Sequence, residues 1–236
     1  MIIGVASAKG GVGKTTIVVN LAAALMELGK KVCIIDGNKT VSNVGLHLGI
    51  EEYPVSLSHV LKGELKITDA VYVHPTKMHV VPGALSLADA RTLNISTLKK
   101  VMKDLEKKYD YIILDTSPGL HDRAVEILKA CNGVVIVLQP LLPPVTDTIN
   151  VVNELKDRKV NIAGIIINKV LGKEFEMTPD EIKSLYKIPV VSIIKEDEDV
   201  PRSVSQKIPI VIMRPESPVS KAFMNLAKAI MGVKTQ

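Results

Sequence analysis

Tryptophan is absent from this chain, and only two phenylalanines and five tyrosines occur in 236 residues. The core must therefore be aliphatic, built from Ile, Val, Leu and Ala, which suits a buried parallel sheet covered by helices. Cysteine is nearly as scarce. Cys33 sits in an apolar run and reads as a small core residue, Cys131 is the second, and no C-x-x-C pairing occurs. A visible metal or redox motif is excluded. No cationic segment followed by a long apolar stretch opens the chain, so no signal peptide is expected. No apolar run reaches membrane-spanning length, and a cytoplasmic location is expected. A basic tail is missing too. The formal net charge is +5, with 16 Lys/Arg against 14 Asp/Glu in the first 150 residues and 14 against 11 in the rest. So even a spread reads as ordinary surface lysine rather than a nucleic-acid face. No internal repeat, low-complexity stretch or linker divides the chain, and residues 1–236 are expected to form one domain.

What is present is an alternation of strand-like and helix-like segments. Strands are expected at Ile2–Ser7, Lys31–Asp36, Met78–Val81, Tyr111–Asp115, Gly133–Gln139, Ile162–Asn168 and Val190–Ile194. Helices are expected at Thr15–Leu28, ended by Gly29, at Ile95–Lys108, Arg123–Ala130, Asp147–Leu155 and Ser220–Met231, and from Thr178-Pro179 onward. Residues 56–73 read as a short helix followed by a mixed segment. Pro140, Pro143 and Pro144 read as a stiff connection ahead of the Asp147 helix. Such alternation predicts an α/β fold with a doubly wound, mostly parallel β-sheet flanked by helices. Ligands of such sheets bind beyond the carboxyl ends of the strands.

Residues 8–16 read Ala-Lys-Gly-Gly-Val-Gly-Lys-Thr-Thr, between the first strand and the first helix. Backbone N–H groups along Gly10, Gly11, Val12, Gly13, Lys14 and Thr15 can wrap a phosphate at the positive end of that helix. Lys14 can reach the β- and γ-phosphates of a nucleotide, and the Thr15 hydroxyl can ligate Mg²⁺. The general pattern G-x-x-x-x-G-K-[ST] asks for glycine at position 8, where this chain has Ala8. Asp36 and Asp115 each end an apolar strand, where a carboxylate can hold Mg²⁺ through water. The competing reading of either acid is a turn or helix cap.

The run Lys9-Gly10-Gly11-Val12-Gly13-Lys14-Thr15-Thr16 resembles the deviant Walker A motif of the MinD/ParA family of P-loop ATPases, which carries the early lysine and tolerates a non-glycine at position 8. Asp36-Gly37-Asn38 through Asn43 is similar to the family's switch I, and Asp115-Thr116-Ser117-Pro118-Gly119-Leu120 to its Walker B and switch II. Ile167-Asn168-Lys169 resembles its adenine-reading strand end. Ile194-Lys195-Glu196-Asp197, with Ile208-Pro209, resembles its second base-flanking loop. The likeness runs from about residue 1 to about residue 231 and is strongest to archaeal MinD-like members. It implies ATP and Mg²⁺ as cofactors, with Thr15, Asp36 and Asp115 at the metal. Gly10 to Thr16, Asp115, Asn168, Lys169, Glu196 and Asp197 would lie at the nucleotide. It also implies a homodimer formed on ATP, in which Lys9 crosses to the partner's phosphates and works with Lys14, Asp36 and position 38 in hydrolysis. Cell-division or other cellular machinery would then be positioned through a protein partner that the sequence does not name.

Two departures qualify this. Asn38 stands where the family usually has a second acid, and an amide can hydrogen-bond a water but is no base. Slow hydrolysis with intact ATP binding is expected. Lys195 replaces a usual proline, with little effect expected. At the C-terminus, Phe223, Leu226, Ala227 and Ile230 form an apolar face. It reads as the last core helix rather than a membrane anchor, since only Gly232 to Gln236 follow. DNA segregation in the manner of ParA is an alternative, set back by the diffuse charge. An iron–sulfur carrier is set back by the missing C-x-x-C. A weakly hydrolysing nucleotide-dependent regulator is suggested by Asn38 alone.

Overall fold

A computed structural model of the chain describes residues 1–37, 42–50, 52–83, 95–119 and 122–233. In chain order the described elements begin with β1 (Ile2–Ala6), α1 (Lys14–Glu27), β2 (Val32–Asp36), α2 (Asn43–Leu48) and α3 (Leu57–Leu61). A 3₁₀ turn (Ile67–Ala70), β3 (Tyr72–Val73), β4 (His79–Val81), α4 (Ile95–Glu106), β5 (Tyr111–Asp115) and α5 (Asp122–Leu128) follow. Then come β6 (Gly133–Leu138), α6 (Leu142–Asp157), β7 (Ile162–Val170), α7 (Pro179–Tyr186) and β8 (Val190–Lys195). The last are α8 (Asp199–Ser205), α9 (Ile210–Met213) and α10 (Pro218–Ile230).

The strands form one sheet in the order β3-β4-β2-β5-β1-β6-β7-β8. Every pairing in it is parallel except β3 with β4. This is the α/β fold with a doubly wound, mostly parallel sheet that the alternation predicts. The chain winds out to one edge, returns to β5 beside β1, and leaves on the other side through β6, β7 and β8. The loop after β1 therefore lies at the topological switch point, where such sheets open a crevice.

Aliphatic strands alternate their side chains between two covered faces. Ile3 and Val5 of β1, with Val135 and Val137 of β6, pack against α1 and α10. Ala6, Val134, Ile136 and Leu138 pack against α6 and α7 on the other face. Ile2, Ile112 and Leu114 meet α3 and α4 there. On α10, Phe223, Leu226 and Ala227 are buried in the first of these clusters, so this apolar stripe belongs to the core. Among the described residues no helix is long and apolar enough to cross a membrane.

Some boundaries differ from those expected. α6 begins at Leu142, five residues early, with Pro143 and Pro144 inside its first turn. The first-turn amides have no intrahelical acceptor, so proline removes nothing there. β7 continues past Asn168 to Val170. The short helices α2, α8 and α9 run 6, 7 and 4 residues. None is long enough to print a helical period on the sequence.

Candidate nucleotide site

The β1–α1 loop takes its shape from two left-handed glycines, Gly11 at φ 78° and Gly13 at φ 93°. Gly13 caps α1 without a side-chain hydrogen bond, leaving the first-turn amides of the helix to an anion. Gly13 is also crowded: a Cβ there would fall 2.3 Å from Nδ2 of Asn168. That amide, at the end of β7, donates to the Val12 carbonyl at 2.8 Å. The Val12 side chain is buried in the core. The loop is thus pinned from below by its valine and from the side by β7.

In-register pairing of β2 with β5 sets Asp36 opposite Asp115. Both are fully buried. Thr15 Oγ1 donates to Asp115 Oδ2 at 2.7 Å. Asp36 Oδ2 accepts from Ser42 Oγ at 2.7 Å and from the Val44 amide at 3.1 Å. Ser42 Oγ in turn accepts from the Gly45 amide at 2.9 Å. Asp36 therefore anchors the start of α2, which is the cap reading of that acid. Lys14 is buried beside the two carboxylates. Burial pushes its ammonium below the ordinary lysine range, while Asp115 and Asp36 oppose that shift.

Two buried carboxylates against one ammonium, with a hydroxyl between, make a net-negative, oxygen-only donor set. Mg²⁺ fits it, because that ion takes one or two carboxylates and completes its shell with waters and phosphate oxygens. Among the described residues no group of three or more His, Cys, Asp or Glu could cage a metal.

Over these groups opens a cavity of about 440 Å³. Gly10, Gly11, Gly13, Lys14, Thr15 and Thr16 line it from the loop, Asn168 and Lys169 from β7 beside that loop, and Glu196 and Asp197 from the segment after β8. The apolar wall there is Ile194, Val200, Pro201, Val204 and Phe223. Val12, Asp36 and Asp115 are not in the lining; they support it from beneath. Lys9 is not in the lining either. Its Nζ stands 2.5 Å from Asp147 on α6, in a half-exposed ion pair. Asn38 lies outside the described residues. Ile194 was expected beside the base; Asp147, the rest of the apolar wall, and His47, which joins the lining from α2, were not. For Asp147 and the wall no local signal exists, since their partners are distant in sequence. For His47 too no local signal exists, because its partners are the Asn43 backbone carbonyl, which any residue would offer, and the Thr16 hydroxyl 31 residues away.

Fold and site together define a P-loop nucleotide-binding protein. A family model described as an AAA domain matches residues 1–165. An uncharacterized ATP-binding protein of Methanocaldococcus jannaschii is 36% identical over 234 residues, covering 99% of this chain and 89% of the relative. The septum site-determining protein MinD of Thermotoga maritima is 33% identical over 243 residues, covering 98% and 88%. Among solved structures, MinD of Pyrococcus horikoshii complexed with Mg-ADP superposes with a TM-score of 0.88 at 33% identity, covering 97% of this chain and 95% of that one. The chain belongs to the MinD/ParA family of P-loop ATPases.

Proposed function

We propose that the chain is an ATP-switched, dimerising ATPase that positions cell-division or other cellular machinery through a protein partner. The observation that carries this reading is the position of Lys9. It flanks the phosphate loop, yet it lines no part of its own cavity and is paired with Asp147 instead. A lysine so placed is available to the phosphate of another protomer once it leaves Asp147. Release from Asp147 would let it neutralise charge that develops during phosphoryl transfer, as an arginine finger does. The γ-phosphate then becomes part of the dimer interface, and its loss ends the dimer.

Within one protomer, first-turn amides of α1 and Lys14 hold the phosphates. Thr15, with Asp115 and Asp36 through water, would hold Mg²⁺, which would supply neutralisation of phosphate charge. Ile194, Val200 and Pro201 offer an apolar slot for the base. Asn38 brings no base to the attacking water, so turnover is slow. The MinD name of the Thermotoga maritima relative and the Mg-ADP of the Pyrococcus horikoshii structure support the assignment.

Phosphate release from ATP tests it, with wild type beside Asn38→Asp. Slow release that rises in the substituted protein is expected. An unchanged or lower rate would sink the role given to Asn38, and absence of nucleotide binding would sink the ATPase reading. A pull-down with ATP against ADP then identifies the partner.

A further inference from the structure

His47 bridges two elements of the cavity wall. Its Nδ1 lies 2.9 Å from the carbonyl oxygen of Asn43, one turn back on α2. Its Nε2 lies 3.3 Å from Thr16 Oγ1 on α1. A carbonyl can only accept, so Nδ1 carries the proton. In the neutral ring Nε2 is then an acceptor, and the Thr16 hydroxyl donates to it.

That polarity does not suit an anion. The hydroxyl proton of Thr16 is committed to His47 while both side chains line the cavity. A phosphate oxygen near the start of α1 needs that proton for itself. Once Thr16 turns its O–H to the phosphate, its oxygen lone pair confronts the lone pair on Nε2. One proton on Nε2 removes the conflict. The imidazolium donates from both nitrogens, to Asn43 and to Thr16, and Thr16 donates onward. Nearby phosphate charge favours that charged ring.

We propose that His47 is a proton-linked positioning residue for the nucleotide: it is neutral in the free site and binds one proton as a polyphosphate enters, fixing Thr16 as a donor to it. This rests on the reading of the cavity as a nucleotide site.

The charged surroundings agree. On α1 the charged residues are Lys14, at the loop end, and Glu27, at the far end. On α8, Asp199 and Arg202 pair with each other at 3.1 Å. Lys207 donates from Nζ to the Leu46 carbonyl at 2.7 Å, close to the histidine. Asp36 is bonded to the start of α2, and Lys169, Lys195, Glu196 and Asp197 lie around the cavity. Burial holds the His47 ring below the ordinary histidine range, against an upward pull from the hydrogen bond to the Asn43 carbonyl, and Lys207 adds a smaller downward push. The free site therefore keeps the ring neutral at pH 7.

The linkage has a definite sign. The bound form titrates at higher pH than the free form. The His47 contribution to nucleotide affinity is pH-independent above the bound value and below the free value. Between them it rises as pH falls, by about tenfold for each unit of separation.

The test is an NMR titration of the imidazole Cε1–H signals over about pH 5 to pH 8. Wild-type protein is titrated free and then saturated with ADP and Mg²⁺. The His47 signal is assigned by its loss in His47→Gln, or in His47→Leu if the first variant does not fold. Its midpoint is expected to rise by about one unit or more with ADP, while the other histidines move less. Calorimetry in two buffers of different ionisation enthalpy should show proton uptake on ADP binding by the wild type. His47→Gln should show less, since only the nucleotide's own protonation remains. ADP that binds without moving the midpoint, or lowers it, overturns the role of His47 alone. ADP that binds at no pH overturns the nucleotide reading with it.

Discussion

Removing Asp147 should tighten the ATP dimer. In the free protomer the Lys9–Asp147 pair is 2.5 Å long, with side-chain exposures of 55% and 41%. Half-exposed pairs of this kind contribute about 0.2–1 kcal/mol. If Lys9 must leave Asp147 to reach its partner's nucleotide, each protomer loses that amount on dimerisation. Two protomers lose about 0.4–2 kcal/mol together, which corresponds to a dimer constant weakened by about twofold to thirtyfold. Asp147→Asn keeps the shape and removes the charge. With a non-hydrolysable ATP analogue, sedimentation velocity should show the variant dimerising at correspondingly lower concentration. Raising the salt should shrink the difference, because exposed pairs are screened. A dimer weakened tenfold or more by Asp147→Asn would overturn this expectation. It would mean that Asp147 keeps hold of Lys9 inside the dimer.

Other outcomes follow from the same geometry. Gly13→Ala puts a Cβ 2.3 Å from Asn168 Nδ2 at φ 93°. It should cost about 1–3 kcal/mol in urea unfolding and abolish nucleotide binding by calorimetry. Ser42→Ala removes the donor to Asp36 and the acceptor for the Gly45 amide. Unfolding should show a loss of about 1–2 kcal/mol. Lys14 carries a burial penalty in its charged form. The unfolded chain holds that proton more tightly, so wild-type stability should gain from Lys14 as pH rises from the lowered folded value to the ordinary lysine value. Lys14→Met should lack that alkaline gain when the two unfolding profiles are subtracted.

The parts of this protein legible in its sequence are those whose cause is local. β1, the glycine loop and α1 follow one another directly, and an apolar strand ending in Asp115 announces an acid at a carboxyl end. The alternation from Ile2 to Met231 carries the sheet in the same way. What was hidden depends on residues distant in sequence. The Asn168 amide meets the Val12 carbonyl across 156 residues, and Lys9, after β1, meets Asp147, after the neighbouring strand β6. No spacing rule pairs such groups. α2 and α9 escaped because six and four residues do not establish a period. His47 escaped because a lone histidine in a short segment looks the same whether it meets a ligand or not. Asp36 was expected at the metal, and its side chain also binds Ser42 and Val44. The same carboxylate thus couples the phosphate end of the site to the start of α2.

On the proposed mechanism, Lys9 acts on the nucleotide of a second protomer. Sedimentation velocity of Lys9→Ala beside wild type, each with ATP and with ADP, tests it most directly when ATP affinity is measured in parallel. The wild type should dimerise with ATP and not with ADP, and the variant should bind ATP with near-normal affinity yet stay monomeric. A Lys9→Ala protein that dimerises with ATP as readily as the wild type would contradict it.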